Sequence, residues 1–315
     1  MYYPYFRGKQ FELLALRESA TLIAESQFTP IIEPVRESLN GLARTLTSLT
    51  DAGCRAIVVV NPRHGDHRDG GESISAFLEQ AYGGNDAVMA GLLLRSVGTP
   101  EAAIALIDAH RGRGEAIIHA GFTDARAIAD ALRDRMSSVS NVFLEDQANM
   151  LYRRHFSGST RVLLRDGFEQ KRNADYDRVD PFSDLHVTYR ELGMQGYGDF
   201  LTVGDHYTEG GGPAYAVAIH LTFIDPEKDD AMFVYHFVSD SNDTPTDPAG
   251  KFAQALTKLV EMLDRGNSKL LETSAIQELR LLHERQHFPG LGYVKKLSIK
   301  HHLETLADYH RRTDA

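Results

Sequence analysis

The stretch YYPYFRGKQFELLALRE, residues 2–18, predicts the first structural unit of the chain and its repeating pattern. The residues from Tyr2 to Phe6 favour a β-strand, and Gly8 interrupts that pattern. From Lys9 to about Glu25, apolar residues recur at the spacing of a helix that buries one face. The stretch therefore predicts one strand followed by one helix, with Arg7, Gly8 and Lys9 in the connecting loop.

The same strand and helix unit recurs along the first two thirds of the chain. Eight strands are predicted, at residues 2–6, 29–35, 56–61, 88–94, 115–121, 141–146, 161–166 and 198–205. Most are short apolar runs of the kind that a parallel sheet buries on both faces. Eight strands alternating with helices favour a (β/α)8 barrel of the TIM type, and a doubly wound open sheet is the alternative.

The remaining third has a different pattern. Residues Gly210 to Pro213 predict a flexible break, and two β-rich runs, 214–223 and 232–238, predict an added β-hairpin. From Lys251 onward the pattern is helical. We therefore expect a barrel over residues 1–265, with a late β-hairpin at about 213–239, and a C-terminal helical extension over residues 266–315.

Composition limits the classes of function. The 315 residues carry a formal net charge of −10, which argues against direct, non-specific nucleic-acid binding, because such binding needs many cations on the phosphates. One cysteine, Cys54, excludes an intrachain disulfide and a CxxC site. No signal peptide or membrane-spanning apolar run is evident, so we expect a cytoplasmic protein with no membrane association.

Polar residues follow almost every predicted strand, which is the pattern of a barrel mouth that binds something. They are Arg7, Glu33, Asn61, Arg95, His119, Glu145, Arg165 and Asp205. The arginines, together with Lys9, suit a phosphate or carboxylate, since a guanidinium pairs bidentately with planar oxyanions. Two carboxylates and an imidazole, from Glu33, Glu145 and His119, are candidates for general acid and base catalysis. The alternative is that such residues pair with each other around the barrel rim.

Three other groups of residues are weaker candidates. The loop from Asn61 to Asp69 holds two histidines and two aspartates, but its arginines would repel a cation, so a solvated loop is favoured over a metal site. His220 and His236 alternate with apolar neighbours in the two late β-runs, which is typical of packing residues and also compatible with a polar lid over the mouth. The region 271–312 is rich in Lys, Arg and His and could contact a partner, although a solvated helical face fits equally well.

The sequence resembles the "beta protein" family that is associated with phages and mobile elements. The resemblance rests on Tyr3-Pro4, Lys9-Gln10-Phe11-Glu12 and Pro30-Ile31-Ile32-Glu33-Pro34, and for one bacterial subfamily on residues 5–12 together with 210–220. It covers nearly the whole chain. The resemblance implies a bacterial cytoplasmic protein, often encoded beside mobile or defence genes and a small nuclease-like neighbour, and it supplies no catalytic residues.

The leading hypothesis is therefore a barrel protein whose mouth recognises a small anionic ligand or a phosphate-containing substrate, with hydrolysis of the phosphodiesterase type as its activity. Arg7, Lys9, Asn61, Arg95, Arg165 and Asp205 would bind, and Glu33, His119 and Glu145 would transfer protons. The alternative is a non-catalytic component of a phage-defence or mobile-element system that senses a ligand and regulates a partner nuclease. Neither a cofactor nor a metal requirement is indicated by the sequence.

Overall fold

The computed structural model describes residues 1–112, 114–210, 212 and 214–313. In the described residues the strands are β1 (Tyr5–Phe6), β2 (Ile31–Ile32), β3 (Ala56–Val59), β4 (Val88–Arg95), β5 (Glu115–Ala120), β6 (Ser140–Leu144), β7 (Thr160–Leu164), β8 (Val179–Ser183), β9 (Gly196–Gly198), β10 (Ala218–Asp225) and β11 (Ala231–Val238).

The helices alternate with the strands of the first two thirds and dominate the C-terminal part. They are α1 (Gln10–Glu18), α2 (Ala20–Glu25), α3 (Asn40–Asp51), α4 (Glu72–Tyr82), α5 (Pro100–Ala109), α6 (Ala125–Ala131), α7 (Met150–Arg153), α8 (Leu185–Thr188), α9 (Pro248–Asp264), α10 (Ser274–Glu284) and α11 (Leu291–Thr313). Short 3₁₀ turns lie between several of them.

Two compact units make up the chain. The first comprises Met1–Arg165 and Leu185–Phe200, and the second comprises Asp166–Asp184 and Leu201–Ala315. The late hairpin belongs to the second unit, together with the C-terminal helices, whereas the sequence-based division placed it with the barrel.

The first unit is a (β/α)8 barrel. Its parallel sheet has the order β1-β2-β3-β4-β5-β6-β7-β9, so each strand pairs with the next one of the repeat. The last strand also meets the first, because the backbone N–H of Tyr3 donates to the carbonyl of Tyr197 at 2.8 Å and that of Tyr5 to Asp199 at 2.9 Å. This closure confirms the predicted barrel and excludes the open-sheet alternative.

The eighth barrel strand begins and ends earlier than predicted. It is the glycine-containing segment β9, whereas the predicted run from Gly198 to Asp205 instead contains a 3₁₀ turn at Leu201–Val203. Glycine is required in β9 because a Cβ on Gly198 would lie 2.0 Å from the carbonyl oxygen of Tyr3. The prediction relied on runs of apolar side chains. A strand that consists largely of glycine has few such side chains, so it was not recognised.

Alternate strand residues fill the barrel interior. The enclosed cluster includes Tyr5 of β1 and Tyr3 just before it, Ile118 and Ala120 of β5, and residues of the other strands. Because successive side chains of a strand point to opposite faces, the residues between these point outward into the helical layer. This alternation decides which predicted residues reach the mouth.

The second unit is built on a three-stranded antiparallel sheet in the order β10-β11-β8. Strands β10 and β11 form the predicted hairpin, and β8 is a strand that was not among those predicted from the sequence. One face of the hairpin packs on the C-terminal helices through a buried cluster that includes Leu221, Phe237, Leu256, Leu279 and Leu297. His220 and His236 alternate with these residues and so lie on the opposite face.

Candidate functional site

At the barrel mouth the structure brings Arg7 and Glu33 together as a buried ion pair. The guanidinium Nη1 of Arg7 donates to Glu33 Oε2 at 2.5 Å, and the hydroxyl of Tyr5 donates to the same oxygen at 2.9 Å. The other carboxylate oxygen accepts the backbone N–H of Arg63 at 2.7 Å. Glu33 is fully buried and its two oxygens hold three donors, so the carboxylate organises the rim.

Arg7 is also held by aromatic rings. Its guanidinium carbon lies 5.2 Å from the ring centre of Tyr5 and 5.4 Å from that of Phe200, which are cation–π distances. Its backbone N–H donates to Glu12 Oε2 at 2.6 Å. Lys9 directly precedes α1 in the same loop. Arg7 is therefore fixed in place by its neighbours.

Asn61 lies just after β3 and Arg95 is the last residue of the neighbouring strand β4, and the two side chains have different environments. The side-chain amide of Asn61 accepts the N–H of Leu93 at 2.8 Å and donates to its carbonyl at 2.9 Å, which extends the pairing of β3 with β4. Arg95 lies on the same face of β4 as Met89 and Leu93, both in the barrel interior. Its half-buried guanidinium has no hydrogen-bond or ion-pair partner among the described residues.

His119 is not at the mouth. It alternates with Ile118 and Ala120, so its ring points outward, where Nδ1 contacts the hydroxyl of Tyr152 at 2.8 Å and Nε2 contacts Asn141 Oδ1 at 2.9 Å. The ring stacks on Phe143 with centroids 4.6 Å apart. Burial lowers the pKa of His119 to about 4, although the hydrogen bond that its ring makes to the side-chain oxygen of Asn141 acts in the opposite direction. The structure thus separates His119 from Glu33.

Glu145 and Arg165 pair with each other. Because Leu144 lies opposite Leu164 in the register of β6 and β7, the residues that follow are also neighbours. Arg165 donates from Nε to one carboxylate oxygen at 2.5 Å and from Nη2 to the other at 3.0 Å. This is the bidentate rim ion pair that the alternative interpretation expected of such residues.

Asp205 does not follow a barrel strand. It lies in the second unit after the 3₁₀ turn at Leu201–Val203, and its backbone N–H donates to Asp166 Oδ2 at 2.7 Å. The prediction that it ends strand eight is wrong, because β9 ends at Gly198.

The histidine-containing loop after β3 does not gather its side chains. The ring of His67 contacts the carbonyl of Arg36 at 3.0 Å and the hydroxyl of Ser73 at 3.3 Å, while Asp66 accepts the N–H of Glu37 at 2.7 Å. Asp69 pairs with its neighbour Arg68. Within the part of the chain that the structure describes, no group of three or more His, Cys, Asp or Glu side chains is arranged to hold a metal ion.

A large cleft lies in the second unit, with a volume of about 990 Å³. Its wall includes Phe168 and Tyr176 of the segment before β8, His220 of β10, and Lys295 and Ser298 of α11. Aromatic rings, an imidazole, a hydroxyl and a cation therefore meet at one concave surface, which is the usual composition of a small-molecule site.

The pairing of β10 with β11 places two histidines opposite each other. His220 and His236 are register partners, and their Nδ1 atoms are 2.7 Å apart. The other nitrogen of His236, Nε2, lies 3.4 Å from Asp180 Oδ2 on β8. Tyr176 stacks on His236 with ring centres 4.3 Å apart. The result is a chain of three polar side chains that ends at the cleft with His220.

Burial keeps both imidazoles neutral near pH 7. It lowers the pKa of His220 to about 3, with further contributions from His236 and Lys295. It also lowers the pKa of His236 to about 4, although the carboxylate of Asp180 acts in the opposite direction. A neutral imidazole carries one N–H donor and one acceptor nitrogen, so each ring can donate to one neighbour and accept from another.

The cations of the cleft wall differ in their partners. Lys171 is held between Asp180 and Glu169, with Nζ 3.1 Å from each carboxylate, and Arg172 makes a bidentate pair with Asp175. Lys295 is exposed and has no hydrogen-bond or ion-pair partner within the described ranges. Lys295 is thus a cation available to a ligand.

The sequence had singled out the members of this cleft for other reasons. His220 and His236 were candidates for packing or a polar lid, and Lys295 was one cation of the basic C-terminal region. In that region Lys296, His301 and His302 are buried, and Arg280 pairs with Asp264 at 2.8 Å. The alternation of the two histidines was the usable signal, but nothing in the sequence paired them with Asp180, whose strand was not predicted.

Comparison with models of known protein families gives no match for this chain, and no curated protein is significantly similar to it. The resemblance to the beta protein family therefore stays a prediction. None of the helices in the described residues is both long enough and apolar enough to cross a membrane.

Proposed function

We propose that this protein binds a small molecule that carries a phosphate or carboxylate group, in the cleft of the second unit. The observation that carries the proposal is the ammonium of Lys295, which has no partner among the described residues and lines one large cleft together with aromatic rings and the imidazole of His220. An ammonium without a partner is a usual contact for an oxyanion, because it donates charge-assisted hydrogen bonds.

The aromatic part of the wall indicates the rest of the ligand. Phe168 and Tyr176 line the cleft beside His220, and Tyr215 lines it with an exposed ring. Such rings bury the flat, apolar portion of an organic ligand. An aromatic phosphate or carboxylate therefore fits the cleft better than a bare inorganic ion.

The test is calorimetric titration with phenyl phosphate, benzoate and the uncharged benzyl alcohol. We expect phenyl phosphate to bind and the alcohol to bind much more weakly. Replacing Lys295 by Gln removes a charge-assisted contact, which is expected to weaken phenyl phosphate binding by about tenfold. Arg285→Gln is the matched control, because Arg285 is an exposed cation of the same unit outside the cleft.

The barrel mouth is the second candidate for the anion site, as first predicted from the strand ends. It is favoured by Arg95, which faces the interior side of β4 without a partner among the described residues. The same titration separates the two sites. Loss of phenyl phosphate binding in Arg95→Gln, with normal binding in Lys295→Gln, would move the proposal to the mouth, and binding that survives both substitutions would refute it.

A further inference from the structure

The geometry of the cleft has a consequence beyond binding, because Asp180, His236 and His220 form a continuous chain of polar contacts. Only one proton can lie between the two Nδ1 atoms, which are 2.7 Å apart. The carboxylate of Asp180 lies 3.4 Å from Nε2 of His236, an electrostatic contact without hydrogen-bond geometry. Its negative charge favours the tautomer of His236 that keeps its proton on that side. His236 Nδ1 is then an acceptor, and His220 must donate from Nδ1.

This tautomer leaves a lone pair on Nε2 of His220. That nitrogen has no hydrogen-bond partner in the described parts of the chain, and His220 lines the cleft. A neutral imidazole with its basic nitrogen toward a ligand cavity, and its other nitrogen held by an oriented partner, has the arrangement of a general base. The partner is oriented in turn by Asp180 and by the stacked ring of Tyr176.

We propose that His220 is the general base for hydrolysis of a phosphodiester bound in the cleft, an inference that rests on the anion binding proposed above. His220 Nε2 takes a proton from a water molecule as the water oxygen forms a bond to phosphorus. The bond from phosphorus to the departing alkoxide oxygen breaks with its electron pair, and that oxygen takes a proton from the ammonium of Lys295. The proton on His220 returns to Lys295 through solvent, so one diester and one water give one monoester and one alcohol.

The neighbours of His220 have distinct roles in this step. Positive charge forms on the imidazole as it accepts the proton, and Asp180, through His236, stabilises it. The negative charge of the bound diester beside the ring acts in the same direction. Asp180 and His236 are thus positioning residues, and Lys295 serves both to bind the phosphate and to protonate the leaving group.

The experiment follows release of 4-nitrophenolate from bis(4-nitrophenyl) phosphate by the full-length chain. We expect turnover by the parent protein, and in His220→Ala a loss of kcat by about 100-fold or more with KM changed less than threefold. Added imidazole should restore part of the activity of that variant. Asp180→Asn should lower kcat by about tenfold with little change in KM, and Arg285→Gln should leave both unchanged.

Binding of phenyl phosphate, measured on the same samples, separates the failures. Retained binding and an unchanged circular dichroism spectrum show that His220→Ala is folded, and His220→Gln is a second variant that keeps a polar side chain. A parent protein that binds phenyl phosphate without hydrolysing the diester overturns the role of His220 and leaves the binding proposal intact, which is the behaviour of a non-catalytic ligand sensor. Turnover that persists in both His220 variants also overturns it, and absence of binding refutes the proposed function itself.

Discussion

The loss of barrel stability in acid tests whether the ring of His119 is buried, as it is in the structure. Burial holds its pKa at about 4, below the ordinary value of 6.5, so protons bind the unfolded chain more readily than the folded one. The stability that depends on a neutral His119 is therefore fully present above about pH 6.5, and it is lost as the pH falls towards about 4. Between about pH 7 and about pH 5, the free energy of unfolding of the barrel falls by about 2 kcal/mol because of His119.

Replacing His119 by Phe removes the titrating group. The variant loses stability at every pH, because the partner atoms of Asn141 and Tyr152 are left buried, at about 1–3 kcal/mol each. The informative quantity is the further loss between about pH 7 and about pH 5, which we expect to be about 2 kcal/mol smaller in the variant than in the parent. Urea titration read by pulsed hydrogen exchange of the β5 and β6 amides reports it for the barrel unit alone.

The control keeps the imidazole and disturbs its surroundings. Phe143→Leu removes the ring stacked on His119, so it should lower stability while preserving most of the pH dependence. Equal pH dependence in the parent and in His119→Phe would refute the burial of this imidazole.

Two further substitutions test the closure and the rim of the barrel. Gly198→Ala places a Cβ 2.0 Å from the carbonyl oxygen of Tyr3, so the closing strand must move, and we expect the free energy of unfolding to fall by about 1–3 kcal/mol in urea denaturation. Gly84→Ala is the control: a Cβ there meets no atom within 4 Å, so the free energy of unfolding should change by less than about 0.5 kcal/mol. Equal effects of the two substitutions would contradict the closure. Glu145→Gln breaks a partly exposed bidentate pair with Arg165, and we expect the free energy of unfolding to fall by about 1 kcal/mol at low salt. This loss should be smaller in about 1 M NaCl, since salt screens the charges. A loss that does not depend on salt would show that the pair contributes no electrostatic stabilisation.

The barrel could be predicted because its signals are local. Apolar runs bounded by glycine, proline and capping residues recur along the first two thirds of the chain. Such a capping residue is Thr99, whose hydroxyl accepts the N–H of Ala102 at the start of α5. The exceptions have a physical cause. Strand β9 consists of Gly196, Tyr197 and Gly198, and β8 contains Pro181, so neither carries the β-branched pattern by which a strand is recognised.

The candidate site could be predicted only in part, because strand-end chemistry does not fix the direction of a side chain. Arg7 and Glu33 do meet at the mouth, but a step of one residue along β5 turns His119 into the helical layer. Glu145 and Arg165 were expected to act on a ligand, and the register of their strands instead places each within reach of the other.

By itself, then, the sequence determined the repeating order of strands and helices, since that order follows from hydrophobic periodicity and turn residues within short windows. Tertiary structure alone decided the closure of the barrel, the pairing of rim charges, and the meeting of His220, His236 and Asp180. These three residues lie on different strands of an antiparallel sheet, and their contact depends on register. Register is a property of paired strands, so it is set by the packing of the whole unit rather than by any one segment.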